Sequence, residues 1–422
     1  MTHPGDAVAR LVRDEGTRVL ATLVRVTGSV DLAEDALQDA VVRALETWPR
    51  DGIPGNPRGW LLVVARRRAV DVVRREAKRL GKEVKAMPAV DPCPDPVAVR
   101  DDMLRLVFTC CHPALSLEAQ IALALRTLGG LSTAEVARAL LVPEATMAKR
   151  LTRAKQKIAT AHIPYRVPSA QELPSRLAAV ASTVYLIFNE GYTSRSPLLA
   201  EGVRLARLLA SLMPDEPTAL GLLALVLLQD ARDAARFDSS GMPVLLSAQD
   251  RTKWDDELIR EGVALVGVGL RRTPTVPDAY VVQAAIAACH DLAPSYAETN
   301  WDAVIGWYDV LLSVQDTPVV RLNRAAAMAE RDGPAAGLTL VEELPGLADY
   351  PWWHASRAEL LHRLGDPSAA AALARAEETG LPAAHVARLR SRMSPENPGR
   401  DAGGCDESGR RESDPRIQPR DE

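Results

Sequence analysis

The sequence predicts an all-α protein: two small helical modules, the second a helix-turn-helix, followed by a long helical-repeat domain. Three observations carry that prediction. Aromatic residues are only 4% of the 422 residues, and the 47% hydrophobic content is mostly Ala, Leu and Val, a mix that suits packed helices better than strands. Apolar residues recur at helical spacing in the stretches quoted below. Towards the C-terminus, Trp301, Pro334 and Pro367 stand 33 residues apart and each opens a helical stretch. A period near 34 is that of tetratricopeptide-type stacks. A set of unrelated helical hairpins would show the same spacing.

Residues 5–80 form the first module. "DLAEDALQDAVVRALETWP" is an acidic amphipathic helix with Asp31, Glu34, Asp35 and Asp39 crowded into its first half, favourable near a helix N-terminus. After a turn, "NPRGWLLVVARRRAVDVVRREAKR" reverses the sign. Leu61, Val64, Ala65, Ala69, Val72 and Val73 make its apolar stripe, and Arg66, Arg67, Arg68, Arg74, Arg75, Lys78 and Arg79 fill much of the rest. Trp60 at its start is either core or a platform for an unstacked base beside the arginines.

Residues 81–99, "GKEVKAMPAVDPCPDPVAV", hold four prolines that forbid a continuous helix and read as a linker. Residues 100–162 are the second module. Ser132 and Glu135 form a capping box that starts a helix at Thr133. Val136 and Leu140 mark its buried face, and Pro143 ends it. The next helix buries Met147, Leu151, Ala154 and Ile158. It turns Lys149, Thr152, Arg153 and Gln156 outward, with Arg150 on the flank. Two helices with a tight turn, the second cationic, suit the major groove of DNA. A plain hairpin with a solvated basic face has the same geometry.

Residues 165–393 are the helical domain, and the Gly-, Pro- and charge-rich residues 394–422 are expected to be disordered. In the helical domain, "FNEGY", "DARDAARFD", "QDRTKWD" and "ACHDLAP" supply Glu190, Asp230, Asp233, Asp238, Asp250 and His290. Glu190, Asp230, Asp250 and Arg251 are the candidates for a regulatory pocket. A structural ion network with Arg232, Arg236 and Arg251 is the stronger reading, and hydrolase chemistry on paired carboxylates the weaker.

Charge is divided along the chain. Residues 1–166 carry 26 Lys/Arg against 19 Asp/Glu and the remainder 25 against 36, which points to a nucleic-acid partner for the front part only. Cys93, Cys110, Cys111, Cys289 and Cys405 form no C-x-x-C pair, as expected in a reducing cytoplasm. Cys110, Cys111 and His112 lack a second ligand pair at finger spacing, so a buried helix is expected there and no metal or cofactor. His162, His354, His362 and His385 are scattered. No apolar run is long enough for a signal peptide or a membrane span.

The order and spacing of "AEDALQDAVVRALETW", "PRGWLLVVARRRAVDVVRR", a Pro-rich linker and "STAEVARALLVPEATMAKRLTRAK" resemble one family over residues 8–160: the extracytoplasmic-function sigma factors of the sigma-70 superfamily. The extension resembles a subgroup with a tetratricopeptide-like C-terminal domain. The resemblance implies core RNA polymerase and promoter DNA as partners. It implies docking through Asp35, Gln38 and Asp39, contacts to the −10 element from Trp60, Arg67, Arg74 and Arg75, and reading of the −35 element by Lys149, Arg150, Thr152 and Arg153. The chain departs from the family in two places. Arg67 stands where an Asn is usual, and Leu141 and Pro143 stand where the turn usually has Gly and Ser, removing the customary N-cap of the reading helix. The extension is expected to modulate transcription, with a small molecule or a protein as signal. A stand-alone helix-turn-helix regulator with a sensing domain is the alternative, and an enzyme fused to a DNA-binding module a further one.

Overall fold

The computed structural model describes residues 4–80, 95–273 and 275–393. The expected tail 394–422 and residues 81–94 of the expected linker lie outside the described residues, with Cys93 and Cys405, as do the side chains of Lys78 and Arg79. Every named element is a helix.

The first module is α1 (Pro4–Thr27), α2 (Val30–Asp51) and α3 (Pro57–Leu80). The Ser29 hydroxyl accepts from the Leu32 amide and starts α2. Gly52, at φ 83°, ends it in a backbone region that only glycine enters without cost. The α3 stripe is buried through Leu61, Leu62, Ala65 and Ala69. Val72, expected within it, is 36% exposed.

The second module is α4 (Pro96–Cys110), α5 (Leu117–Leu123) with a π-helical turn (Ala124–Leu128), α6 (Thr133–Ala139) and α7 (Glu144–Thr160). The helix α4 opens inside the stretch expected to be linker. Pro96 occupies its first turn, where a missing N–H costs nothing, and the Asp95 carboxylate accepts from the Val97 amide at 2.8 Å. Cys110 and Cys111 close α4, both buried. Burial pushes both thiols up, Cys111 to about 12, which keeps them protonated and poor metal ligands. Among the described residues no group of three His, Cys, Asp or Glu side chains is placed to hold a metal.

The extension comprises α8 (Leu173–Ser194), α9 (Leu198–Leu212), α10 (Pro217–Asp230), α11 (Asp256–Arg272), α12 (Ala279–Asp291), α13 (Trp301–Val314), α14 (Pro318–Asp332), α15 (Pro334–Glu342), α16 (Pro351–Arg363), α17 (Ala369–Glu378) and α18 (Ala383–Met393). The apolar helix α10 buries every residue from Ala219 to Leu228 and is the hub of its first half. Next to it α8 and α9 touch closely: a Cβ on Gly202 would sit 2.5 Å from the Phe188 Cα. The repeat occupies the second half as helix pairs. Trp301 and Pro334 open α13 and α15, and Pro318 and Pro351 open α14 and α16 at the same interval. The third pair is offset: α17 starts two residues after Pro367, at Ala369.

One apolar cluster runs from Val8 in α1 to Leu227 in α10. The two front modules and the extension therefore share a continuous core. Among the described residues no helix is long and apolar enough to cross a membrane.

Candidate nucleic-acid interface

The second module builds its cationic face as the local sequence dictates. The Ser132 hydroxyl accepts from the Glu135 amide at 3.2 Å and the Glu135 carboxylate accepts from the Ser132 amide at 2.7 Å, completing the capping box of α6. The turn then passes through Leu141 at φ 52°. Helix α7 starts after Pro143 with no side-chain cap, so its first amides stay open. Met147, Leu151 and Ala154 are buried and Ile158 is half-buried. Lys149, Thr152, Arg153 and Gln156 are exposed and Arg150 is half-exposed. Thr152 donates its hydroxyl to the Ala148 carbonyl at 2.9 Å.

Leu141 is 85% exposed, so its left-handed backbone is offset by no packing. Leu141→Gly is expected to raise stability by up to about 1 kcal/mol. Relief of a strain of about 1–2 kcal/mol is partly offset by the chain entropy that glycine adds to the unfolded state. The urea midpoint measures it.

On α3, Arg67, Arg74 and Arg75 are exposed and Trp60 is half-buried, edge-on to Trp48 with ring centroids 5.4 Å apart. Trp60 is thus packed against the core and part of its surface stays open. Arg75 donates to the Asp71 carbonyl at 3.1 Å. On α2, Asp35, Gln38 and Asp39 share an exposed face at i, i+3, i+4 spacing, and Asp39 is paired with Arg68 of α3.

Reading of the sequence missed one residue that joins these surfaces. Lys155 of α7 reaches α2, its ammonium 2.8 Å from Asp31 and 2.8 Å from Glu34. Burial pulls its pKa down, but Glu34 and Asp31 outweigh that and hold it above the ordinary value. The signal was available: Lys155 adjoins Ala154 and Ile158 on the buried side, where an unpaired ammonium would not be tolerated.

Each of the four candidates for a regulatory pocket has its own local setting. Asp250 caps a short turn, accepting from the Thr252 amide at 3.1 Å and its hydroxyl at 2.6 Å. Arg251 donates to the carbonyls of His290 and Ala293 and lies over the Trp254 ring. Asp230 is half-buried, its pKa raised by burial and then by Asp233 and Asp255, and Glu190 is exposed on α8. Arg232 lies 3.5 Å from Asp291, a buried acid the sequence reading passed over beside His290.

Three family models match the chain in order. Residues 11–79 match sigma-70 region 2, residues 105–158 match sigma-70 region 4, and residues 176–268 match a family of unknown function, DUF6596. The chain is 32% identical over 164 residues to the ECF RNA polymerase sigma factor SigK of Mycobacterium bovis, covering 37% of this chain and 86% of that protein. The chain belongs to the extracytoplasmic-function sigma factors. SigK of Mycobacterium ulcerans is similar at 32% over 154 residues, covering 35% of this chain and 80% of its own. An uncharacterized protein of Rhizobium meliloti, R00370, is 43% identical over 364 residues, 82% of this chain and 86% of its own, so its similarity reaches well into the extension. In this sigma factor the region 2 match takes in α1 to α3, and the region 4 match ends within α7.

Proposed function

We propose that this sigma factor docks on core RNA polymerase through Asp35, Gln38 and Asp39 and directs it to a promoter class read at two points. Trp60, Arg67, Arg74 and Arg75 would hold the opened −10 strand, and Lys149, Arg150, Thr152 and Arg153 the −35 duplex. The observation that carries this reading is the pair of open cationic helix faces, α3 and α7, on two modules with the acidic face of α2 beside them. Phosphate contacts supply salt-dependent affinity and base contacts the selection. Opening DNA needs no bond chemistry, only better binding of the single strand than of the duplex. Run-off transcription with core polymerase on genomic fragments, with and without the protein, tests it. Specific start sites that depend on the protein are expected, and their absence would refute the reading.

The finer part of the proposal is that the extension modulates this activity by holding the reading modules together. The second module is tied to the extension by Arg100, which donates to the Leu212 carbonyl at 2.7 Å, and by Arg204, which donates to the Leu128 carbonyl at 2.6 Å. Thr183 of α8 also donates to Gln120 at 3.1 Å. The first and second modules are tied by Lys155 and by the Tyr165 hydroxyl, 2.8 Å from the Ala21 carbonyl and 3.1 Å from the Asp102 carbonyl. Two promoter elements lie farther apart than one packed unit spans, so engagement requires these ties to open. In the variant carrying Asp31→Asn and Glu34→Gln, Lys155 loses both charged partners. A rise on the order of tenfold in the open population is expected, seen as a longer distance between fluorophores on α3 and α7. An unchanged distance would show that Lys155 holds nothing closed.

A further inference from the structure

The cationic stripe of α3 holds one arginine more than the strand contacts named above. Arg68 stands seven positions before Arg75, so the two lie about 20° apart around the helix axis. Arg67 and Arg74 repeat that interval on the adjoining side, and all four side chains are exposed. By position, Arg68 belongs to the face that would follow a sugar-phosphate backbone.

Its present partner lies on the other functional surface. Arg75 bonds within its own helix, to the Asp71 carbonyl at 3.1 Å. Arg68 reaches out of α3, and its guanidinium Nε donates to the Asp39 carboxylate of α2. Asp39 is one of the three residues assigned to docking on polymerase. A single ion pair therefore joins the surface for DNA to the surface for polymerase. The Arg68 side chain is 45% exposed and that of Asp39 48%, so an outside partner can take either without disturbing the core. Ala36 and Ala40 of α2 and Ala65 and Ala69 of α3 are buried in one apolar cluster, and the module does not need this pair to stay closed.

We infer that Arg68 is a further contact to the opened −10 strand, held by Asp39 until core polymerase takes that carboxylate. The inference rests on the docking and strand-binding faces proposed above. An exposed carboxylate that docks by charge meets a cationic side chain on its partner. That cation neutralises Asp39 and repels the Arg68 guanidinium, which is then free to meet a phosphate. In the free chain a phosphate has to break the Arg68–Asp39 pair, whereas on polymerase the pair is already broken. Polymerase and strand thus favour each other's binding by the strength of the pair. Exposed ion pairs are weak, so the coupling is about two- to fivefold. It makes the sigma factor a better strand binder on polymerase than alone.

The free-chain test is fluorescence anisotropy of a labelled oligodeoxythymidine over a salt series. The full chain, Asp39→Asn, Arg68→Ala and the double variant are compared, with helical circular dichroism as the check on folding. Asp39→Asn is expected to tighten binding by about two- to fivefold and to steepen the slope of log affinity against log salt by about 0.7, the share of one single-strand phosphate. Arg68→Ala alone is expected to change binding by less than about twofold, because Arg68 is held by Asp39 in the free chain. In the Arg68→Ala background, Asp39→Asn is expected to bring neither the gain nor the steeper slope. With core polymerase, on a promoter fragment found by run-off transcription, Arg68→Ala is expected to lower the salt slope of the open complex by about 0.7, and Arg68→Lys to keep it. The inference is overturned if Asp39→Asn fails to tighten oligonucleotide binding, or tightens it equally with and without Arg68. An unchanged salt slope for Arg68→Ala on polymerase overturns it as well. If the parent chain forms no promoter complex with core polymerase, the docking and strand-binding reading itself fails and this inference falls with it.

Discussion

Replacing Lys149 and Arg153 together with alanine is expected to lower promoter-specific transcription by at least about 30-fold while leaving the affinity for core polymerase unchanged. Both side chains are exposed on the outer face of α7, so their truncation costs little packing. A side chain that reads a base edge contributes about 1–3 kcal/mol, and two of them multiply. The salt dependence separates the roles. If the residues hold phosphates, each loss lowers the slope of log affinity against log salt by about 1 and weakens all sequences alike. If they read bases, discrimination between promoters falls and the slope is unchanged. Normal transcription by the double variant would mean that α7 does not read the −35 element.

Phe188→Ala is expected to destabilise the extension by about 3–5 kcal/mol. Phe188 is fully buried, stacks on Tyr192 with ring centroids 5.5 Å apart, and sits against the backbone of α9 where Gly202 admits it. At Gly202 the two helix backbones already touch, which limits how far α8 and α9 can close over the vacated space. Urea unfolding of the full chain followed by helical circular dichroism measures the loss. A cost below about 1 kcal/mol would show that the α8–α9 contact closes over the cavity. Since α8 carries Arg176, which donates to the Phe108 carbonyl in α4, loosening α8 also loosens the seat of the second module.

Much of the candidate interface was legible in the chain. The capping box at Ser132 and Glu135, the stop before Pro143 and the inward set Met147, Leu151 and Ala154 are relations between residues a few positions apart. The backbone at these places has few alternatives, so the pattern suffices. The family assignment rests on the same kind of signal, repeated along 150 residues in a set order. The candidates in the extension were harder. Asp250 has a partner two residues away and needs no pocket, whereas Arg251 meets the His290 and Ala293 carbonyls, which no local pattern marks.

By itself, then, the chain determined its helices, their caps, the turn that presents α7 and the interval of the repeat, because each depends on steric and hydrogen-bond preferences within a turn or two. Only the tertiary structure decided that Lys155 meets Glu34 across 121 positions, that Tyr165 ties α1 to α4, and that Arg68 of α3 meets Asp39 of α2. Those pairings follow from which apolar faces cover one another, a choice made by the whole core at once and not encoded by any window of sequence.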